Sequence, residues 1–496
     1  MQLVLGQLNS WGLMKYLRVF FAFFLGLLTV ACQQPMSPVG EVVAVVVAED
    51  APMAEDTPTV EDAPTAVFLS PTPTLAPTAT AAPTLAPTGT AVPATPTTVF
   101  TTSRSPACGQ ILPLLPNPNP SLTSAVAADP EAAAELRAML PAAAQTALDQ
   151  IMAQPQNVGL AYYRMGQEAS GAYLNADAQM PLASVVKLIT LAAYTEAVAA
   201  GQLNPLEPVG VDMLDRYYLP NSDLGAHPRA LEDAAANGRL DPTTNTLTLN
   251  DVAWMMIRHS SNAASDYLHL RLGQNAIEET ALWLNLTQQT APCPFLAQFL
   301  ALNNHTRSGD SAAIVQQFMA EPASYAAEAM LLADAYIQDA DFRADERSWR
   351  SSRQGGGFGA SRPFYESLNA EGTAREYAAL MGRFAQNGLS SGESSYQARL
   401  ILEWPMQFAD NQALFSNLGY KNGSLPGILT VAYYAYPQGE SDPIIVTLFF
   451  RDLPNDAYRS WRSDTLAHDE LARWLLAHPQ AIPLLRRVLA PVESGE

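Results

Sequence analysis

At 496 residues the chain is too long for one ordinary domain, and a hydrophobic content of 48% allows one large core beside appendages. A net charge of −21 excludes the basic footprint of a nucleic-acid binder and gives no electrostatic attraction to an anionic membrane surface. Three cysteines, Cys32, Cys108 and Cys293, are too few for a disulfide-built scaffold, and no spacing suits a zinc site. No metal or cofactor is expected, and the expected assembly is a monomer.

Residues 14 to 32 read MKYLRVFFAFFLGLLTVAC. Lys15 and Arg18 form a short positive region, and the apolar run Val19 to Val30 is too short for an ordinary spanning helix. The segment reads as a secretory signal over 1–32. Its end, Leu28-Thr29-Val30-Ala31-Cys32, resembles the bacterial lipobox, with Thr29 departing from the usual aliphatic residue. The resemblance implies lipidation of Cys32 and a hold on a membrane surface without a span. Residues 33–106 change composition: acids cluster over 49–62, and 71–98 repeat Pro, Thr and Ala. Such a stretch buries too little apolar surface to offset its ordering entropy, so it reads as a disordered tether. Extended as polyproline II, the Pro-Thr part would reach about 90 Å.

The ordered domain is expected over 107–490, with 491–496 a disordered tail. Glu131 to Met152 reads as one Ala-rich helix. Val158 to Arg164 and Gly171 to Asn175 read as paired strands. Ser184 to Ala200, apolar on most faces, reads as a buried central helix. Leu249 to Ile257, Ala263 to Leu272 and Ala374 to Gln386 read as further helices, the last stopped by Asn387-Gly388. Leu418 to Asn422, Gly427 to Tyr436 and Pro443 to Phe450 read as strands, and Asp464 to Ala477 as a closing helix. Strands at both ends with helices between predict an α+β fold: a sheet built from the two termini and an inserted helical lobe.

After Cys32 the chain has only two lysines, Lys187 and Lys421, against 23 arginines. A desolvated lysine can give up its proton and an arginine cannot, so the two exceptions point to chemistry. In Ser184-Val185-Val186-Lys187 the spacing puts hydroxyl and amine on one helix face, where the amine can take the serine proton. In Lys421-Asn422-Gly423-Ser424 the lysine could hold a substrate carboxylate, and Gly423 lets a substrate lie against the strand. Between them Ser260-Ser261-Asn262 follows a helix: Ser260 could relay a proton and Asn262 could bind a substrate amide.

Ser-x-x-Lys, then Ser-x-Asn, then Lys-x-Gly, in that order, resembles the class A β-lactamase and penicillin-binding serine hydrolase superfamily. The resemblance covers roughly 150–480. It implies an antiparallel five-stranded sheet flanked by helices with an all-helical lobe, and no cofactor. It also implies that Ser184 forms an acyl-enzyme, Lys187 acts as base, and Ser260 passes the proton to the leaving nitrogen. The backbone N–H groups of Ser184 and Ser424 would make the oxyanion hole, while Asn262 and Lys421 would position the substrate.

Several features depart from the family. Its Glu-x-x-Leu-Asn loop supplies the glutamate that activates the deacylating water. Here Tyr365-Glu366-Ser367-Leu368-Asn369 puts Tyr365 at that position, and Glu366 reaches the site only if the loop bulges. Ser261 replaces the usual aspartate of the middle motif, and Asn422 the usual hydroxyl residue of the last. The segments 205–248 and 290–370 are longer than compact members need. The second carries Arg343, Arg347, Arg350, Arg353 and Arg362, which either pair with Asp341, Asp345 and Glu346 in a solvated insertion or form a lid. Cys108 and Cys293 could bridge in an exported chain. His259 reads as a packing or surface residue, and Gly388-Leu389-Ser390-Ser391-Gly392 as a decoy nucleophile elbow, since a helix precedes it.

The expected function is therefore an exported, membrane-anchored serine hydrolase that opens a β-lactam or a peptidoglycan-derived amide. The alternatives are a D,D-peptidase on stem peptides and a non-hydrolysing penicillin- or cell-wall-binding lipoprotein.

Overall fold

A computed structural model describes residue 108 and residues 122–307, 311–352 and 358–492. The signal segment, Cys32, the tether and Arg353 lie outside the described residues. Nine strands occur in that region: β1 (Val158–Arg164), β2 (Ala172–Leu174), β3 (Gln179–Pro181), β4 (Pro208–Gly210), β5 (Thr246–Thr248), β6 (Glu371–Thr373), β7 (Phe415–Leu425), β8 (Ile428–Pro437) and β9 (Ile444–Phe450). Five of them form the expected antiparallel sheet, in the order β2-β1-β9-β8-β7. The sheet joins the two ends of the domain.

The inner strands are apolar almost throughout, because helices cover both faces. β9 reads IIVTLFF and is buried at every position. Alternation assigns the faces. Tyr433 donates to Asp469 at 2.8 Å and Tyr162 to the Leu475 carbonyl at 2.7 Å, both on the helix Ala467–Ala477. On the other face Thr447 donates to the Ala374 carbonyl at 2.8 Å, at the start of the helix Ala374–Ala385. Each fully buried Ile, Leu or Phe of these strands contributes about 1.5–3 kcal/mol. β7 and β8 join through Pro426-Gly427, and Gly427 takes φ +81° as the third residue of a tight turn requires.

The Ala-rich N-terminal segment is two helices, not one. Pro130–Met139 and Ala142–Ala153 are separated at Leu140-Pro141, where proline lacks the N–H a continuous helix needs. The closing helix starts at Ala467, not Asp464, which instead ends the helix Asn455–Ser463. Asn387 stops the helix Ala374–Ala385 in the left-handed conformation, φ 57°.

Both long segments are folded. Residues 205–248 hold the β4–β5 pair and the helix Ala226–Ala236. Residues 290–370 form helices with an apolar cluster of their own that includes Phe318, Tyr325, Phe364 and Tyr365. Among its described arginines, Arg343, Arg347 and Arg350 brace this lobe rather than standing in solvent. Arg350 pairs with buried Glu346 at 2.5 Å, and Arg343 donates to the Tyr336 carbonyl at 2.7 Å. Arg347 donates to the Tyr336 hydroxyl at 3.0 Å and to the carbonyl of Asp215. A disulfide joins Cys108 to Cys293 at the start of the lobe. Among the described residues no helix is long and apolar enough to cross a membrane.

Candidate active site

The segment expected as one helix from Ser184 begins with a 3-10 turn, Ala183–Val186, and becomes α-helical at Lys187–Ala199. Its entry is strained: Ala183 has φ 47°, a region disfavoured for residues with a Cβ. Asn369 holds it there, accepting the Ala183 amide at 3.0 Å and donating to Gln298 at 3.0 Å. Directly after Asn369, β6 pairs with β3, Glu371 opposite Pro181. The turn carrying Ser184 is thus fixed from a segment 186 residues away.

β7 is the edge strand beside this turn. Lys421 and Gly423 alternate onto the face that meets it, opposite Ala432 and Thr430. A Cβ on Gly423 would lie 2.6 Å from the Ser184 nitrogen, 2.8 Å from the Leu182 carbonyl and 2.5 Å from Thr430 Oγ1. Only glycine allows that approach. Thr430 locks it by donating to the Leu182 carbonyl at 2.8 Å.

The two lysines are both fully buried and converge on Ser260. Lys187 Nζ donates to Ser260 Oγ at 3.2 Å, to the Ser260 carbonyl at 2.5 Å and to Asn262 Oδ1 at 2.8 Å. Lys421 Nζ donates to the same Ser260 Oγ at 3.0 Å, and to the Asn422 carbonyl and Oδ1 at 2.7 and 3.3 Å. Ser260 itself is left-handed, φ 61°, between the helices Leu249–Arg258 and Asn262–Leu272, which turns its side chain away from the helix axis. Burial lowers the Lys187 ammonium, and Asp266 and Asp223 pull it partly back. Lys421 lies well below its ordinary value, by burial first and by the neighbouring Lys187 second. Asp266 is raised by burial although it accepts the Phe295 and Leu296 amides at 2.8 and 2.7 Å.

Ser184, Ser260, Asn262, Asn422, Gly423 and Ser424 line one cleft of about 180 Å³. Glu366 is not brought to it. Its Oε1 is held by Arg362 at 3.0 Å and accepts the Asp452 amide at 3.2 Å. Tyr365, at the glutamate position, is buried against Phe299 and Phe364. Phe295 also packs on Lys187, its ring centroid 4.5 Å from Nζ. His259 contacts Asp233 at 2.9 Å. Ser390 lies between helices, with its amide on Glu196 at 2.9 Å, so the decoy elbow has no strand before it. Ser261, where the family has an aspartate, caps the helix it starts and meets His227 Nδ1 at 2.9 Å. Sequence reasoning missed Asp223, Asp266, Phe295 and Gln298, and quoted Asn369 without a role. Among the described residues no cluster of His, Cys, Asp and Glu could hold a metal ion.

A family model described as the beta-lactamase enzyme family matches residues 142–452. The chain belongs to that family. No curated protein matches the sequence. Similar solved structures include a β-lactamase from Sphaerobacter thermophilus, at 16% identity and TM-score 0.38, covering 66% of this chain and 92% of that one. PBP-A is similar at 13% identity and TM-score 0.38, covering 72% and 99%. A β-lactamase from Desulfarculus baarsii is similar at 16% and 0.38, covering 70% and 98%.

Proposed function

We propose that the protein is acylated at Ser184 by a β-lactam or a related peptidoglycan-derived amide and releases the acyl group slowly. The observation that carries this reading is the sharing of Ser260 Oγ by two buried lysines at 3.2 and 3.0 Å. A hydroxyl has two acceptor sites and one proton. With both acceptor sites taken by amines, the proton points elsewhere, and the cleft is where a leaving nitrogen would need it.

In the reaction, Ser184 Oγ attacks the amide carbonyl as Lys187, its pKa lowered by burial, takes the proton. The Ser184 amide, against which Gly423 packs, stabilises the oxyanion with the Ser424 amide, such donors contributing about 3–4 kcal/mol each. Ser260 delivers a proton to the leaving nitrogen and regains one from Lys187. Asn262 holds the acyl amide, and Lys421 with Asn422 faces the substrate carboxylate. Slow release is supported by the removal of both Tyr365 and Glu366 from the cleft, and by the fixing of the carboxylate that does line it, Asp223, on the His227 and Asn262 amides. This favours D,D-peptidase or penicillin-binding behaviour over a fast β-lactamase.

The disulfide supports an oxidising compartment, in keeping with export and lipidation at Cys32. Radiolabelled palmitate should enter the wild type and not Cys32→Ser.

A chromogenic cephalosporin tests the activity. The expected result is a burst near one equivalent and a persistent mass adduct. Rapid steady turnover without an adduct supports the fast β-lactamase instead, and neither burst nor adduct removes the reading.

A further inference from the structure

The segment 205–248 delivers one carboxylate to the cleft. Asp223 lines it together with Ser184, Ser260 and Asn262. Its Oδ2 accepts the amide of His227 at 3.1 Å and of Asn262 at 3.5 Å, which ties it to the backbone of the residue whose side chain contacts Lys187. Its Oδ1 is buried and makes no hydrogen bond of good geometry among the described residues, although the Gly225 amide lies near enough to favour the charge.

A buried carboxylate oxygen without a donor costs about 1–3 kcal/mol or more, so such an atom needs a partner from somewhere. The charged neighbours do not supply one. Arg229 is drawn to the Leu224 carbonyl at 2.9 Å, and Arg258 is paired with Asp233 at 3.1 Å. His227 is driven down to about 4 by burial, so its ring is neutral at pH 7. Lys187 spends its donors on Ser260 and Asn262. Burial raises the Asp223 carboxyl, with Lys187 the main opposing influence.

Resting on the acyl-enzyme reading above, we propose that Asp223 reads a cationic N–H donor, an ammonium, on the acyl half of the substrate. The amide that Asn262 would hold fixes that half in the cleft, and the group beyond it runs along the Ser222–Ala226 wall. The two oxygens of the carboxylate are equivalent, so what an ammonium arriving along that wall would fill is the unpaired position beside the two backbone-bound contacts. An ammonium there satisfies both the lone pairs and the charge. The insertion thereby sets specificity, a role that segment length alone does not reveal.

The test compares benzylpenicillin with its α-amino derivative and with the N-acetylated form of that derivative, which keeps the bulk and loses the charge. Acylation rates at Ser184 are read by intact mass. The wild type is expected to react about tenfold faster with the free amine than with either other compound, as one charge-assisted hydrogen bond implies. In Asp223→Asn the ratio should fall toward one. Because the acetylated compound tests charge on the wild type alone, a variant that fails to fold does not shield the proposal. Adducts forming at equal rates from all three compounds overturn this inference and leave the parent reading standing. Absence of any adduct at Ser184 overturns both.

Discussion

Lys187 and Lys421, 234 positions apart in the chain, place their ammonium groups on a single acceptor, the hydroxyl of Ser260, at 3.2 and 3.0 Å. Burial loosens the hold of each amine on its proton, and for Lys421 the neighbouring Lys187 adds to it. Removing the hydroxyl removes the path to the leaving nitrogen. Ser260→Ala should cut the acylation rate by about 10²–10⁴, the usual range for a lost proton-transfer group. Stability should fall by about 1–3 kcal/mol as the two buried amines lose their shared acceptor, and acylation of the folded variant within threefold of wild type would contradict the relay.

The depressed Lys187 predicts a pH dependence with a definite sign. The amine must be neutral to accept the Ser184 proton, so the acylation rate rises with pH through the pKa of Lys187 and then levels. The midpoint should lie well below the ordinary lysine value of 10.5. A rising limb centred on 10.5 is the contrary result. Lys187→Arg, which cannot deprotonate, should be inactive across the range while still folding.

Gly423 offers a steric test independent of protonation. Its added Cβ would meet the Ser184 nitrogen at 2.6 Å and the Leu182 carbonyl at 2.8 Å, both backbone atoms that cannot swing aside. Gly423→Ala should destabilise by about 1–3 kcal/mol and displace the Ser184 amide. Acylation should fall far more than the melting temperature does, and an unchanged rate would show that β7 does not abut the nucleophile turn.

Asn369 tests the strain in that turn. Asn369→Ala frees the Ala183 amide and the Gln298 side chain, at a cost of about 1–3 kcal/mol for the groups left unpaired. Ala183 should relax from its positive φ, and acylation should slow about tenfold or more, because the nucleophile loses its fixed direction. Melting and rate measured together check both parts.

Much of this site was legible because lysine is so rare in the chain. Two lysines against 23 arginines after Cys32 drew attention to Ser184, Ser260, Asn262, Gly423 and Ser424 through fixed local spacings. The sheet was legible too, since β8 and β9 are apolar runs interrupted within only by Thr430 and Thr447. What was hidden depends on packing between distant segments. Asp223 carries no local motif and becomes notable only when its partners, His227 and Asn262, are seen around it. Phe295 reads as an ordinary core residue until its ring is found beside Lys187. The Ala-rich helix was misjudged for a local reason: Pro141 was read through, and it divides the segment.

His468 gives a stability test. Burial holds its imidazole down to about 3, and Nδ1 has no hydrogen-bond partner among the described residues. Below the ordinary value of 6.5 the unfolded chain takes a proton that the folded chain refuses, so this residue lowers stability as pH falls from 6.5 toward about 3. His468→Leu removes that effect. Whatever its cost at pH 7, the variant should gain about 2 kcal/mol relative to wild type on going to pH 5. Parallel urea curves at the two pH values measure the difference, and a constant offset would refute the burial argument.

The most direct measurement is the location of the acyl group. The mature domain is treated with benzylpenicillin, digested, and mapped by mass spectrometry. The expected result is one acyl group per chain on the peptide containing Ser184, absent from Ser184→Ala and persisting for minutes to hours in the wild type. An acyl group on any other residue, or on none, would contradict the account.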